Sequence, residues 1–188
     1  MKKDINRKKI YSIKVICNSY LPDWRKNIKS HDSYSSHRKK GGGVILDLSH
    51  ELDYVRWIFG NLKIKFVSKG KVSGLTHDSE DYLSLAGKIK NADFSIDLNY
   101  FSKISKRLIF VDGKNFSITL DLIKNRYYKK FNNKLIYKNI NNFNSDFTYV
   151  EQHREFLQNK TKNLCSYDFA KKTLIDIEKI KRWKIKKN

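Results

Sequence analysis

Four side chains with acid–base or hydrogen-bonding chemistry, Asp47, His50, Glu51 and Tyr54, stand three or four positions apart in a stretch whose apolar residues repeat at helical spacing. Residues so spaced share one face of an α-helix. An imidazole beside a carboxylate is held in one tautomer and gains basicity, which suits a general base that takes a proton from an alcohol near neutral pH. The chemistry this pattern would support is hydroxyl oxidation. The same residues on the polar side of an amphipathic helix also describe an ordinary solvated surface, and spacing alone leaves both readings open. A metal site is disfavoured: the helix lacks the H-E-x-x-H pattern, and the other candidates weighed, His77 and His153, have no ligand spacing.

The element that must present these groups is well marked. Gly41, Gly42 and Gly43 lead into VILDLSHELDYVRWIFG, where Val44, Ile45, Leu48, Leu52, Val55 and Phe59 keep a helical period and Gly60 stands as the stop. Upstream, a basic arm (1–9) precedes an Ile-, Val- and Tyr-rich strand over 10–17, and then comes a long polar stretch, Tyr20 to Lys40. That stretch holds the only proline, Pro22, and Trp24. A loop of this length inside a domain is uncommon and usually functional or disordered; its Trp and Tyr favour function. Beyond Gly60 the period changes to two. Leu62, Ile64 and Phe66 alternate with lysines, Phe94, Ile96, Leu98 and Tyr100 with polar residues, and Phe116, Ile118, Leu120 and Leu122 likewise. Turn-like pairs at Lys90-Asn91, Asp112-Gly113 and Asn132-Asn133 leave room for hairpins but not for parallel crossovers. The Asn-rich stretch 139–144 reads as a loop, a helix is expected around 146–159, and a last helix starts near Ser166 as N-cap with Ala170, Leu174 and Ile177 on one stripe, before the basic end KIKRWKIKKN. The expectation is one α+β domain over 1–188: strand, loop and histidine helix in 10–60, a mainly antiparallel open sheet in 61–138, C-terminal helices in 145–184, with helices packed on one face and the other face open to solvent or another subunit.

Composition fits a folded chain of 188 residues, 39% hydrophobic and 13% aromatic. The formal charge of +21 favours anionic partners. Aromatics among basic residues, such as Tyr127, Tyr128, Lys129 and Lys130, raise nucleic-acid binding as a third-ranked reading, although no helix-turn-helix, zinc finger or aromatic RNA-binding signature is present. Abundant Lys, Asn and Ile also follow from an A- and T-rich coding bias. Cys17 and Cys165 form no metal-like or redox-like pair, so a reducing, cytoplasmic setting is the default. The basic N-terminus is not followed by an unbroken apolar run with a cleavage-like site, and no stretch of about 18 apolar residues suggests a membrane span.

The run GGGVILDLSHELDYVRWIFG resembles the segment of Gfo/Idh/MocA oxidoreductases in which a glycine-rich turn opens a helix bearing an aspartate and a catalytic histidine. YLPDWR and DSYSSHRKK are similar to a subgroup associated with surface-sugar biosynthesis, and the order of strands followed by two helices agrees with that family's second domain. The resemblance implies His50 as general base or proton relay, Asp47 as its orienting or substrate-binding partner, and Trp24, Arg25, Tyr34, Glu51 and Tyr54 at a sugar or nucleotide-sugar substrate. Many members place the aspartate four positions before the histidine; here that position is Leu46, and Asp47 is three before His50. The rotation of about 100° per residue leaves Asp47's role open.

NAD or NADP is the cofactor the family implies, yet neither a G-x-G-x-x-G fingerprint nor the family's Glu-Lys-Pro motif occurs in these residues. Met1 is therefore expected to lie near the junction between two ancestral domains. The chain should bind no cofactor alone, be inactive alone, and be either truncated or complemented by a separate Rossmann-domain chain. The alternative is a noncatalytic remnant or assembly module that forms homo-oligomers through its sheet.

Overall fold

The run IYSIKVICNSY, dense in β-branched residues, forms β1 (Ile10–Tyr20), three residues longer than the sequence predicts. In the computed structural model, which describes residues 1–6, 8–25, 27, 29–139, 145–160 and 164–184, seven further strands follow the histidine helix. They are β2 (Lys63–Gly70), β3 (Tyr82–Ile89), β4 (Ala92–Asn99), β5 (Phe101–Gly113), β6 (Phe116–Asp121), β7 (Arg126–Phe131) and β8 (Lys134–Asn139). The hairpins turn at Lys90-Asn91 and Asn132-Asn133 as the sequence suggests. Asp112-Gly113, in contrast, ends β5, and its turn falls at Asn115, whose φ of 63° supplies the reversal.

The order in the single sheet is β2-β3-β4-β1-β5-β6-β7-β8. Only β1 and β4 run parallel; every other neighbouring pair is antiparallel. β1 thus sits between β4 and β5, although those two strands are joined by Tyr100 alone. At that crossing Tyr100 accepts the Leu21 N–H at 2.8 Å and donates its own N–H to Asp81 at 3.0 Å. The end of β1, the start of the polar loop and Tyr100 are therefore fixed together.

The predicted helix over 44–59 is split into α2 (Val44–Asp47) and α3 (Ser49–Phe59), with Leu48 between them at φ −102° and ψ 21°. Their apolar stripe, Val44, Ile45, Leu48, Leu52, Val55 and Phe59, is buried against one face of the sheet, on Ile13, Val15, Leu85, Ile96, Leu98 and Ile109 among others. Two apolar assignments change. Lys65 is an extra residue opposite the Gly87–Ala86 step, and this bulge inverts the alternation, leaving Phe66 exposed and Val67 buried. On α5 (Tyr167–Arg182), capped by Ser166 as expected, the stripe is rotated, so that Leu174 is exposed while Thr173, Asp176, Ile177 and Ile180 are buried. The rotation is set by polar contacts to α3: Arg56 pairs with Asp176, and Thr173 donates to Asp53 at 2.9 Å.

The basic arm contains a helical turn, α1 (Lys2–Ile5), tied to the sheet where Tyr127 and Lys129 reach Asp4 at 2.9 and 2.7 Å. This removes Tyr127 and Lys129 from the exposed aromatic–basic cluster. Helix α4 (Ser145–Leu157) forms as expected, but no described side chain on it is buried. Of the loop expected over 139–144, Asn139 instead ends β8, while 140–144, like the last four residues of the basic C-terminus, lie outside the described residues. No helix among the described residues is long and apolar enough to cross a membrane.

Candidate functional site

The polar stretch 20–40 is a chain of four short 3₁₀ turns rather than a featureless loop. It is braced by residues 77–81: Ser79 Oγ donates to Ser35 O at 2.8 Å, Asp78 N to Ser36 O at 3.0 Å, and Arg38 N to the Asp78 carboxylate at 2.6 Å. The glycines complete the brace. A Cβ on Gly42 would strike the Tyr34 and Ser35 carbonyls, and one on Gly43, already at φ 121°, would strike the Glu80 carboxylate. Val44 N then donates to Glu80 O at 2.9 Å, which sets the start of α2.

On α3, Glu51 points inward and is wholly buried, while His50 beside it is 49% exposed. His50 Nε2 lies 3.0 Å from Glu51 Oε1. Arg107 of β5 reaches the same oxygen through Nε at 2.8 Å and Nη2 at 2.7 Å, and the Tyr54 hydroxyl donates to Oε2. Burial pushes the Glu51 carboxyl up, but the hydrogen bond from His50, the Arg107 charge and the Tyr54 hydroxyl outweigh it and hold the group below the usual glutamate range. A carboxylate kept ionised can only accept, so His50 carries its proton on Nε2. Nδ1 has no protein partner among the described residues.

The neighbouring groups are excluded as bases by the same electrostatics. Burial first, and the Glu51 charge second, raise the Tyr54 hydroxyl far above its ordinary range. Burial and the bond to Asp47 do the same at Tyr100. Cys17, opposite Arg107 in the β1–β5 pairing, is pushed up to about 12 by burial and by Glu51. That leaves the half-exposed ring of His50, with its unpartnered Nδ1, as the cluster's candidate base.

Asp47 does not contact His50. The break at Leu48 separates the two, and the Asp47 carboxylate instead accepts from the Tyr100 hydroxyl at 2.5 Å. Trp24 stacks edge-on against Tyr100 with ring centroids 5.1 Å apart and donates its indole N–H to Ser19 at 3.0 Å. Arg25 donates to Ser33 at 2.7 Å and lies over the Tyr34 ring at 4.8 Å. The residues proposed from sequence therefore fall into three groups: Asp47 and Trp24, joined through Tyr100; Arg25 with Tyr34; and His50, Glu51 and Tyr54. Four contributors were not legible locally: Arg107, Tyr100, Glu80 and Cys17. Arg107 and Tyr100 are drawn in from 56 and 53 residues away by strand pairing. His77, weighed only as a ligand, is a buried brace with Nδ1 donating to Ser79 O at 3.0 Å. Among the described residues no group of three or more His, Cys, Asp or Glu is placed to hold a metal ion.

The glycine turn does not fit a dinucleotide. The Cβ positions of Gly42 and Gly43 are filled by the chain's own carbonyls and by the Glu80 carboxylate, which would repel a pyrophosphate, and the helix the turn opens is four residues long. Among the described residues no other strand–glycine turn–helix unit occurs.

A sequence model of the Gfo/Idh/MocA oxidoreductase family, C-terminal alpha/beta domain, matches residues 2–119. No curated protein matches the chain. Solved structures with the same fold include levoglucosan dehydrogenase in complex with NADH (TM-score 0.73, 15% identity, covering 95% of this chain and 58% of that one). An oxidoreductase from Agrobacterium radiobacter in complex with NAD+, L-tartaric acid and magnesium aligns at TM-score 0.71 and 16% identity, over 94% of this chain and 55% of that one. The WlbA dehydrogenase from Bordetella pertussis, in complex with NADH and UDP-GlcNAcA, gives 0.70 and 15%, over 96% and 56%. At such identities the likeness concerns the fold. The chain spans a little over half the length of these proteins.

Proposed function

Since the chain belongs to the Gfo/Idh/MocA oxidoreductase family, matching its C-terminal α/β domain, we propose that it is the substrate-side half of an NAD(P)-dependent enzyme oxidising a hydroxyl of a sugar or nucleotide sugar. The observation that carries this reading is the half-exposed His50, bonded through Nε2 to a buried, ionised Glu51 and free at Nδ1. In this scheme His50 Nδ1 takes the hydroxyl proton. Glu51 accepts a hydrogen bond from Nε2–H, which keeps its proton, and stabilises the imidazolium, while Arg107 and Tyr54 saturate Glu51 so that it does not itself become the base. The exposed faces of Trp24 and Tyr34 suit the apolar side of a sugar ring, and Arg25 supplies a cation beside them. Asp47 binds substrate through the network it shares with Tyr100 rather than orienting His50. Nicotinamide would supply the hydride acceptor, and because the glycine turn does not fit it, the acceptor must be held by a domain outside these residues, on the same or a separate chain.

The test needs no cofactor. Titrating the chain with UDP-N-acetylglucosamine should move the imidazole resonance of His50 saturably in proton NMR, and Trp24→Ala should weaken the response about tenfold. A folded chain whose His50 signal ignores a panel of UDP-sugars and free sugars would overturn the reading. With a dinucleotide-binding partner domain supplied, His50→Ala should lower the rate of NAD reduction by ~10²–10⁴; an equal rate would overturn the assignment of the base.

A noncatalytic assembly role has its own supporting feature. On the open face of the sheet, Phe66, Phe110, Tyr128 and Tyr137 are partly or fully exposed along one cross-strand row. This reading predicts dimers or larger species in sedimentation at tens of micromolar, and a monomer there would count against it.

A further inference from the structure

The end of the sheet away from Glu51 holds a cavity of about 710 Å³, within the ~300–1,000 Å³ range of small-molecule sites. It opens between the N-terminal segment, the start of β1, the end of α3 and the β3–β4 turn. Its walls include Ile10 and Ile13, roughly 13–23 Å along β1 from Cys17 at a strand rise of ~3.3 Å per residue.

Five lysines line this cavity, Lys2, Lys3, Lys8, Lys9 and Lys90, and no Asp or Glu does. None of the five forms an ion pair among the described residues. Three of them rest over rings: Lys2 over Trp57 at 3.9 Å, Lys8 over Phe131 at 4.1 Å and Lys9 over Tyr11 at 5.8 Å. Such contacts position an ammonium without neutralising it. Lys90 adds an independent sign. It occupies a turn at φ 54°, a left-handed conformation that disfavours a Cβ and where Asn or Gly usually stands. Its chain runs past Gly60, placing Cε 3.6 Å from where a Gly60 Cβ would be. Strain of this kind at a cationic rim points to a function for the side chain.

The floor is aliphatic. Ile10 and Ile58 are half-buried in front of the buried Ile13 and Ile89, and the single ring among the lining residues, Phe59, is buried. A nucleobase needs an exposed ring to stack on, which this floor lacks; an aliphatic chain needs only the isoleucines. We propose that the cavity binds a phosphate-bearing amphiphile, with its aliphatic body on Ile10 and Ile58 and its head among the ammoniums of Lys3, Lys90 and their neighbours. This site is independent of the His50 cluster and of the activity proposed for it.

Farnesyl diphosphate serves as the probe, titrated by calorimetry into the full chain at low salt. One molecule should bind per chain, and Lys3→Gln with Lys90→Gln should weaken it about tenfold or more, whereas Lys69→Gln with Lys124→Gln, an equal loss of charge at the other end of the sheet, should change it less than about twofold. Inorganic pyrophosphate and farnesol should each bind about tenfold more weakly than the joined molecule. Vesicles of phosphatidylcholine with and without phosphatidic acid separate the sources: capture that requires phosphatidic acid and is lost in the Lys3/Lys90 double variant assigns a lipid headgroup, and binding of the free diphosphate alone assigns a soluble ligand. His50→Ala should bind the probe as the wild type does. No saturable binding to probe or vesicle, equal loss in the two double variants, or pyrophosphate binding as tightly as the probe would overturn the proposal.

Discussion

Replacing Arg107 with leucine tests the electrostatic centre of the candidate site directly. Glu51 is wholly buried, whereas Arg107 is 37% exposed, so the two partners of the pair are not equivalent. Losing one partner of a buried pair costs ~3–5 kcal/mol because the other is left uncompensated. Glu51 would keep His50 and Tyr54, which places Arg107→Leu near the lower end, ~3 kcal/mol. Glu51→Leu should cost less, ~1–2 kcal/mol, since the guanidinium can turn to water and only the Tyr54 hydroxyl loses a buried acceptor. The Glu51→Leu/Arg107→Leu chain should lie closer to Glu51→Leu than to Arg107→Leu. At ~2–4 °C per kcal/mol for a chain of this size, Arg107→Leu lowers Tm by roughly 6–12 °C. In the wild type the Glu51 carboxyl is held below its ordinary value, so its contribution is fully present above the unfolded value of ~4.3 and is lost as pH falls through the lower folded value. Without Arg107, burial meets less opposition and the carboxyl rises, so the variant's deficit should shrink as acid protonates it. Urea unfolding followed by tryptophan fluorescence at about pH 7 and about pH 4.5 measures both effects; a deficit under ~1 kcal/mol at neutral pH, or one unchanged by acid, would refute the reasoning.

Gly43→Ala should destabilise the chain by ~2 kcal/mol or more, from backbone strain and collision with Glu80. Part of that loss should return in a Glu80→Ala background, and equal losses in both backgrounds would show that the carboxylate is not the obstacle. Cys17, buried and pushed up to about 12, should resist iodoacetamide in the native chain while exposed Cys165 is alkylated; mass spectrometry showing both labelled at similar rates would contradict this. Asp4 is held down to about 2, chiefly by its bond to Lys129. Its contribution is present above the ordinary aspartate value of ~3.9 and is lost as pH falls through about 2. Because the pair is partly exposed, Asp4→Asn should cost under ~1 kcal/mol near neutral pH, read as faster amide exchange in residues 2–5. Protection unchanged by the substitution would show that the bond does not hold the arm.

Much of the fold is legible because short-range patterns carry it. The change of period after Gly60 gives helix and then strands, and hairpin turns such as Lys90-Asn91 dictate antiparallel neighbours. The insertion of β1 between β4 and β5 has no local signature, since it depends on a strand more than seventy residues upstream of its neighbours filling a gap. Local patterns also failed where a single residue altered the register: the Lys65 bulge reverses Phe66 and Val67, and the Arg56–Asp176 pair turns Leu174 outward.

The sequence by itself determined the helix that bears His50, the glycine turn before it, the antiparallel character of the sheet and the family resemblance. These follow from spacing within a few turns or strands. The tertiary structure decided which carboxylate serves the histidine. From sequence Asp47 and Glu51 were both available at helical spacing, yet the break at Leu48 sends Asp47 to Tyr100, and strand pairing brings Arg107 beneath Glu51. Partners separated by more than fifty residues are chosen by the sheet, whose register no local pattern states, and the ionisation of Glu51 is a property of the partners so assembled.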